Sequence, residues 1–210
     1  EGTRHLCEAL GRLRQPPKVV ACASAIGYYG DRGEEVLTEE SASGGGFLAE
    51  VCRAWEAAAR PAVERGIRVV HLRIGAVLSP AGGALKLMLP PFRVGLGGPL
   101  GAGRQYMSWV ALDDVVGAVG HLLTHEGLRG PVNVVAPRPV TNLEFTKTLG
   151  RVLHRPTLIP VPPFAIRLMF GEVADAVLLA STRVAPSRLL ASEYRFRFPH
   201  LEDALRHYLQ

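Results

Sequence analysis

Ser24 and the adjoining Tyr28 and Tyr29 are the first residues whose types and spacing suggest chemistry. The serine closes an apolar run, Lys18-Val-Val-Ala-Cys-Ala-Ser24, and the tyrosines follow in the turn sequence Ala-Ile-Gly-Tyr28-Tyr29-Gly30-Asp31. Ligands of open α/β sheets bind at the carboxyl ends of strands, where a hydroxyl followed by phenols can hold a reacting oxygen and exchange a proton with it. Hydrolysis fits poorly, because Ser24 lacks a G-x-S-x-G setting and an evident His/Asp partner. The seven histidines show no H-E-x-x-H or similar ligand spacing. His121 and His125 stand four apart without a third ligand, so no metal is expected.

These residues need elements to position them. Leu6, Leu10 and Leu13 recur at helical spacing within Thr3–Arg14, and Pro16-Pro17 ends that helix before the strand that leads to Ser24. A glycine- and acid-rich loop from Gly27 to Gly46 then leads to an alanine-rich helix expected from Phe47 to Arg65, capped by Gly66. Ile67 to Ile74 predicts a second strand. Gly82-Gly83 opens a short helix through Met88 that Pro90-Pro91 should break, and the glycine-rich loop from Gly95 to Gly103 suits a ligand-facing position. Tyr106–Leu112 reads as a strand, and Asp113-Asp114 suit the start of the Val115–Thr124 helix and its dipole. Pro131–Val135 reads as another strand, and Thr141 with Glu144 forms a capping box that opens a helix to Leu153. Apolar strands alternating with helices imply a parallel sheet, and rising proline frequency marks a division near residue 155.

Composition supports one substantial core. The chain has 210 residues, 48% apolar and 20% charged, which excludes a disordered chain. At this size folding buries roughly 70% of the unfolded surface, so no disulfide or metal staple is needed. Cys7, Cys22 and Cys52 are read as small buried apolar residues. The net charge of +5 comes mainly from scattered arginines rather than a basic stripe, which argues against nucleic acid as a partner. The longest apolar runs, such as Lys18–Cys22 and Val173–Ala180, are too short or too interrupted to span a bilayer, and no signal segment opens the chain. A cytoplasmic protein with no membrane partner is expected, its oligomeric state left open. Glu1 in place of Met implies a processed or cut N-terminus.

Ser24 with its Tyr-Gly turn resembles the extended short-chain dehydrogenase/reductase superfamily. Trp55-Glu56, Leu72-Arg73-Ile-Gly75-Ala-Val77-Leu-Ser, Pro91 to Gln105 and Trp109–Asp114 sharpen that resemblance to its atypical "epimerase family" group, with coverage from about Gly2 to Leu209. The resemblance implies an α/β fold: part of a doubly wound parallel, Rossmann-like sheet (1–155), followed by a small, mostly helical C-terminal lobe (156–210) similar to the group's domain of unknown function. It implies NADP, with NAD possible, and an oxidoreductase or epimerase-like activity on a small carbonyl or sugar-like molecule. The alternative is a non-catalytic nucleotide-binding sensor or scaffold.

By the same resemblance Ser24 and one of Tyr28 or Tyr29 orient the reacting oxygen. Arg4, Arg73, Gly75 and Val77 face the cofactor, and Gln105 and Trp109 face the substrate. Alternatives stay open for Arg4 as a solvated first-turn residue, for Arg73 to Val77 as a simple strand-to-loop turn, and for Trp109 as a core residue. The glycine-rich phosphate loop follows no strand of this chain. In the family order three strand-helix units and a fourth strand precede Thr3–Arg14, on the order of 100 residues, so an N-terminal truncation is expected. The superfamily's Tyr-x-x-x-Lys pair falls on Leu48 and Cys52, leaving proton transfer to water, substrate or another tyrosine.

Overall fold

The computed structural model describes residues 1–162, 164, 166, 168 and 178–210. The helical reading of the C-terminal lobe therefore lies partly outside the described residues, as does most of Val173–Ala180. Helix α1 (Gly2–Leu10) precedes strand β1 (Val19–Ala25), a single 3₁₀ turn (Ile26–Tyr29) and β2 (Val36–Leu37). Helices α2 (Phe47–Ala57) and α3 (Arg60–Glu64) lead to β3 (Arg68–Ile74) and β4 (Ala76–Leu78). Then come α4 (Gly83–Arg93), β5 (Tyr106–Met107), β6 (Trp109–Ala111) and α5 (Leu112–Thr124). Strands β7 (Gly130–Val134) and β8 (Val140–Thr141) precede α6 (Asn142–Leu153). After α6 come β9 (Arg183–Val184), a short helix at Ser187–Ala191 and a C-terminal helix at Leu201–Leu209.

The main sheet is parallel, in the order β1-β3-β7. Side chains alternate between its faces. Val70, Leu72, Val132 and Val134 point to one face and pack with Ala118 and Leu122 of α5. On the other face, Cys22 and Val69 meet Cys7, Ala59 and Ala62. Another cluster joins Trp109, Phe145 and Leu149 to Phe198, Leu201 and Leu205, so the C-terminal helix shares a core with α6. Among the described residues no helix is long and apolar enough to cross a membrane.

Four local expectations change. Helix α1 ends at Leu10 rather than Arg14, and Leu6 and Leu13 are exposed, while Cys7 is buried as expected, its small side chain fitting the tight contact with Ala59 and Ala62. The long helix from Phe47 divides at Ala58–Ala59, since Pro61 near the start of α3 cannot donate back to Ala57. Helix α4 runs through Pro90 and Pro91. Each proline costs a helix about 3 kcal/mol, but burial of Leu85, Leu89 and Phe92 contributes roughly 1.5–3 kcal/mol apiece and pins the helix on both sides of the break. The expected strand Tyr106–Leu112 divides at Ser108, whose hydroxyl donates to Thr182 O and accepts from Val184 N. The capping box at Thr141 and Glu144 forms as expected.

Candidate functional site

Parallel register brings three polar residues into one row. Ser24 of β1 pairs with Arg73 of β3, and Arg73 pairs with Asn133 of β7. Each is the penultimate residue of its strand, so the row crosses the carboxyl-terminal end of the sheet. Register partners in a parallel sheet point to the same face, here the one covered by α2 and the 3₁₀ turn. From α2, Glu56 accepts from the Ser24 hydroxyl at 2.8 Å and from two nitrogens of Arg73. From the turn, the Tyr29 hydroxyl donates to Asn133 Oδ1 at 2.8 Å and accepts from Arg73 Nη1 at 3.0 Å. Tyr28 is half-buried, and the Arg73 guanidinium lies 3.4 Å from its ring centroid.

The charges in this row are mutually arranged. Burial would raise the Glu56 carboxyl, but hydrogen bonds from Arg73 and Ser24 outweigh it and hold the group below the usual glutamate range. Burial opposes the charge on Arg73, yet Glu56 and Tyr29 keep it more firmly protonated than an ordinary arginine. Burial raises Tyr29 despite hydrogen bonding and attraction from Arg73. His71, one alternation before Arg73 on β3, is lowered chiefly by burial, with the Glu56 charge acting in the opposite sense.

Asn133 carries the network outward. Its backbone N–H donates to Glu39 Oε1 at 3.0 Å, and its side-chain amide donates to Ala185 O at 2.9 Å. Glu39 Oε1 also accepts from Arg188 N, while β2 pairs in parallel with β9. The loop after Tyr29 and the segment 181–188 are thus tied to one edge of the sheet.

The other expected site residues fall in several places. Trp109 is fully buried in the core and its indole donates to Arg138 O at 3.1 Å, so the substrate-facing role gives way to the core alternative. Tyr29 is likewise fully buried with its hydroxyl doubly engaged, which leaves Tyr28 as the accessible phenol of the pair. The Arg73 side chain turns inward to Glu56 rather than lying in a loop. Gly75 follows β3 with its N–H on Val134 O, and Val77 sits in β4 opposite Val110. Gln105 Nε2 donates to Leu100 O and Leu178 O. Arg4 is exposed and pairs with Glu8 at 3.7 Å, one residue from Thr3, whose hydroxyl accepts from the Trp55 indole. Leu48 and Cys52 of α2 both face Gly27, beside Ser24.

Glu56 and Asn133 are the residues whose roles sequence reasoning missed. A lone amide inside the apolar strand Pro131–Val135 was the available signal for Asn133.

Comparison with known proteins follows the same lines. The human epimerase family protein SDR39U1 is 38% identical over 207 residues, covering 98% of this chain and 70% of the human protein. The chain belongs to the epimerase family. Within it, the epimerase family protein MT2273 of Mycobacterium tuberculosis is 49% identical over 183 residues, or 87% of this chain. The chain spans about 61% of that relative's length. The crystal structure of human SDR39U1 with NADPH superposes with a TM-score of 0.93 at 36% identity, covering 99% of this chain and 70% of the human one. This likeness gives the epimerase family chain the expected α/β, Rossmann-like class. Residues 161–208 match a family described as Domain of unknown function (DUF1731).

Proposed function

We propose that the protein is an NADP(H)-dependent oxidoreductase or epimerase-like protein acting on a small carbonyl or sugar-like molecule. The observation that carries this reading is the placement of Ser24 and half-buried Tyr28 together at the carboxyl end of β1, above the Glu56–Arg73 pair. Support comes from the NADPH in the crystal structure of the human relative. NAD would satisfy the same fold.

The donor set fits the reacting end of such a cofactor rather than its phosphates. Tyr28 offers a half-buried hydroxyl for a substrate oxygen and Ser24 a buried oxygen whose proton is hydrogen-bonded to Glu56, but no strand among the described residues is followed by a glycine-rich phosphate loop. Gly75 offers no cradle either, because a Cβ there would lie 2.5 Å from Ser108 O. We place the phosphate loop in the part of the longer relatives that this chain does not span. When bound, the nicotinamide would supply hydride transfer. Ser24 Oγ, its proton hydrogen-bonded to Glu56, would accept from a substrate hydroxyl, and Tyr28 would exchange the proton with the reacting oxygen.

A second reading, a nucleotide-dependent sensor without catalysis, draws on Leu48 and Cys52, which stand where the superfamily has its proton-transfer pair. NADPH titration followed by a carbonyl panel, with the protein at its natural length, separates the two. Oxidation of bound NADPH by a panel member supports the enzyme, and binding without oxidation supports the sensor. Ser24→Ala with full turnover would overturn the site assignment.

A further inference from the structure

The carboxyl-terminal half of α6 presents Lys147 and Arg151 four residues apart on one helical face, and His154 is the first residue beyond the helix. Arg155 follows directly, and these four side chains line an open depression of about 600 Å³ whose remaining walls are Gly150, Pro156 and Thr157. Like charges four apart destabilise a helix by a few tenths of a kcal/mol per pair. The helix dipole offsets this only within the last turn. It explains Arg151 but neither Lys147, about one turn earlier, nor Arg155, beyond the helix end.

The depression is built rather than incidental. Gly150 admits no side chain, since a Cβ would lie 2.5 Å from Thr157 Cγ2, so the segment 155–157 folds closely back onto the helix. His154 makes that reversal in the left-handed region, at φ 55°. Arg155 is oriented by donating from Nε to Arg93 O at 2.7 Å and from Nη1 to His154 O at 3.3 Å. Arg151 is steadied by Thr148 Oγ1 at 3.1 Å and Glu202 Oε2 at 3.2 Å. Glu202 is itself shared with Arg206, and a phosphate on Arg151 would compete with this one carboxylate.

We propose that this depression binds a phosphate-bearing anion, held by Lys147, Arg151 and Arg155 with His154 at its edge. Guanidinium groups already oriented by carbonyl and hydroxyl partners lose little freedom on taking a phosphate, and their planar donors match its oxygens. The phosphate could belong to a free metabolite or to a lipid headgroup, because Leu158 and Ile159 stand exposed just beyond the depression. The site is separate in sequence and structure from the row containing Ser24, and does not depend on the function proposed for that row.

The test is an inorganic phosphate titration of the protein at its natural length, followed by the NMR signals of His154, at constant ionic strength. The expected result is a saturable shift whose midpoint rises at least about tenfold in Lys147→Gln and in Arg155→Gln. Both side chains are exposed, so unchanged circular dichroism and melting would show that the variants still fold. A second arm uses phosphatidylcholine vesicles with and without phosphatidylglycerol. Adhesion to the anionic vesicles alone, lost in the double variant and competed by phosphate, assigns the phosphate to a lipid. Phosphate binding without adhesion assigns it to a free metabolite. No saturable shift, or the same midpoint in wild type and variants, overturns the proposal.

Discussion

Arg73 grips Glu56 through two parallel hydrogen bonds, Nε to Oε1 at 2.8 Å and Nη2 to Oε2 at 2.9 Å, with only 3% and 13% of the two side chains exposed. The pair joins α2 to the central strand and fixes the Ser24 hydroxyl in the same motion. Removing one partner of a buried ion pair leaves an uncompensated charge, a loss of about 3–5 kcal/mol. Glu56→Gln is expected to fall in that range by chemical denaturation. Replacing both residues with apolar ones of similar volume should recover most of the loss. A single variant costing under about 1 kcal/mol would remove the pair from its organising role.

The two adjoining tyrosines should part company. Tyr29→Phe deprives Asn133 Oδ1 and Arg73 Nη1 of a buried partner, for an expected loss of about 1–3 kcal/mol. Tyr28→Phe keeps the ring under Arg73 and should change stability by no more than about 0.5 kcal/mol. If Tyr28 exchanges the proton, the same variant should slow NADPH oxidation by about 10²–10⁴-fold. Equal turnover in Tyr28→Phe and wild type would reject that role.

Gly75 is required by packing. An alanine Cβ would lie 2.5 Å from Ser108 O and 2.8 Å from Val135 Cγ1, while Ser108 O already accepts from Ala76 N. The clash is with backbone, which cannot rotate aside. Gly75→Ala should therefore destabilise by about 1–3 kcal/mol, read as a lower melting temperature.

Alkaline stability should depend on Tyr194. Its hydroxyl donates to Asp114 O at 3.0 Å, and burial followed by the Asp114 charge pushes its pKa up to about 12. A folded-state pKa raised above the unfolded value gives stability that is fully present below the unfolded value, near 10, and lost as pH rises toward 12. Tyr194→Phe should remove about one proton's worth of that slope in melts taken across this window. Tyr29 and Tyr208, also raised, should keep theirs. An unchanged slope would contradict the assignment.

Asp114 shows where local reading stops. Its place in the first turn of α5 suggests a dipole contribution, and the side chain is in fact buried, accepting from Arg197 N at 2.6 Å and Phe198 N at 3.0 Å. Beside it, Asp113 accepts from Tyr208 and Arg197. Both partners lie more than 80 residues away in sequence. The pair docks the C-terminal segment, which no helix-end rule could convey.

The three strands of the main sheet, the helices that begin near Phe47 and Asn142 and the capping box at Thr141 were determined by the sequence itself, because periodicity, turn residues and caps act over a few neighbouring positions. Ser24 and Tyr28 were legible for the same reason, as residues at the end of an apolar run. Tertiary structure alone decided that Ser24, Arg73 and Asn133 form one row, that Glu56 closes it, and that Tyr29 and Trp109 are sealed inside. Register between strands far apart in sequence sets which polar groups meet. Burial then sets which of them remain open to a ligand.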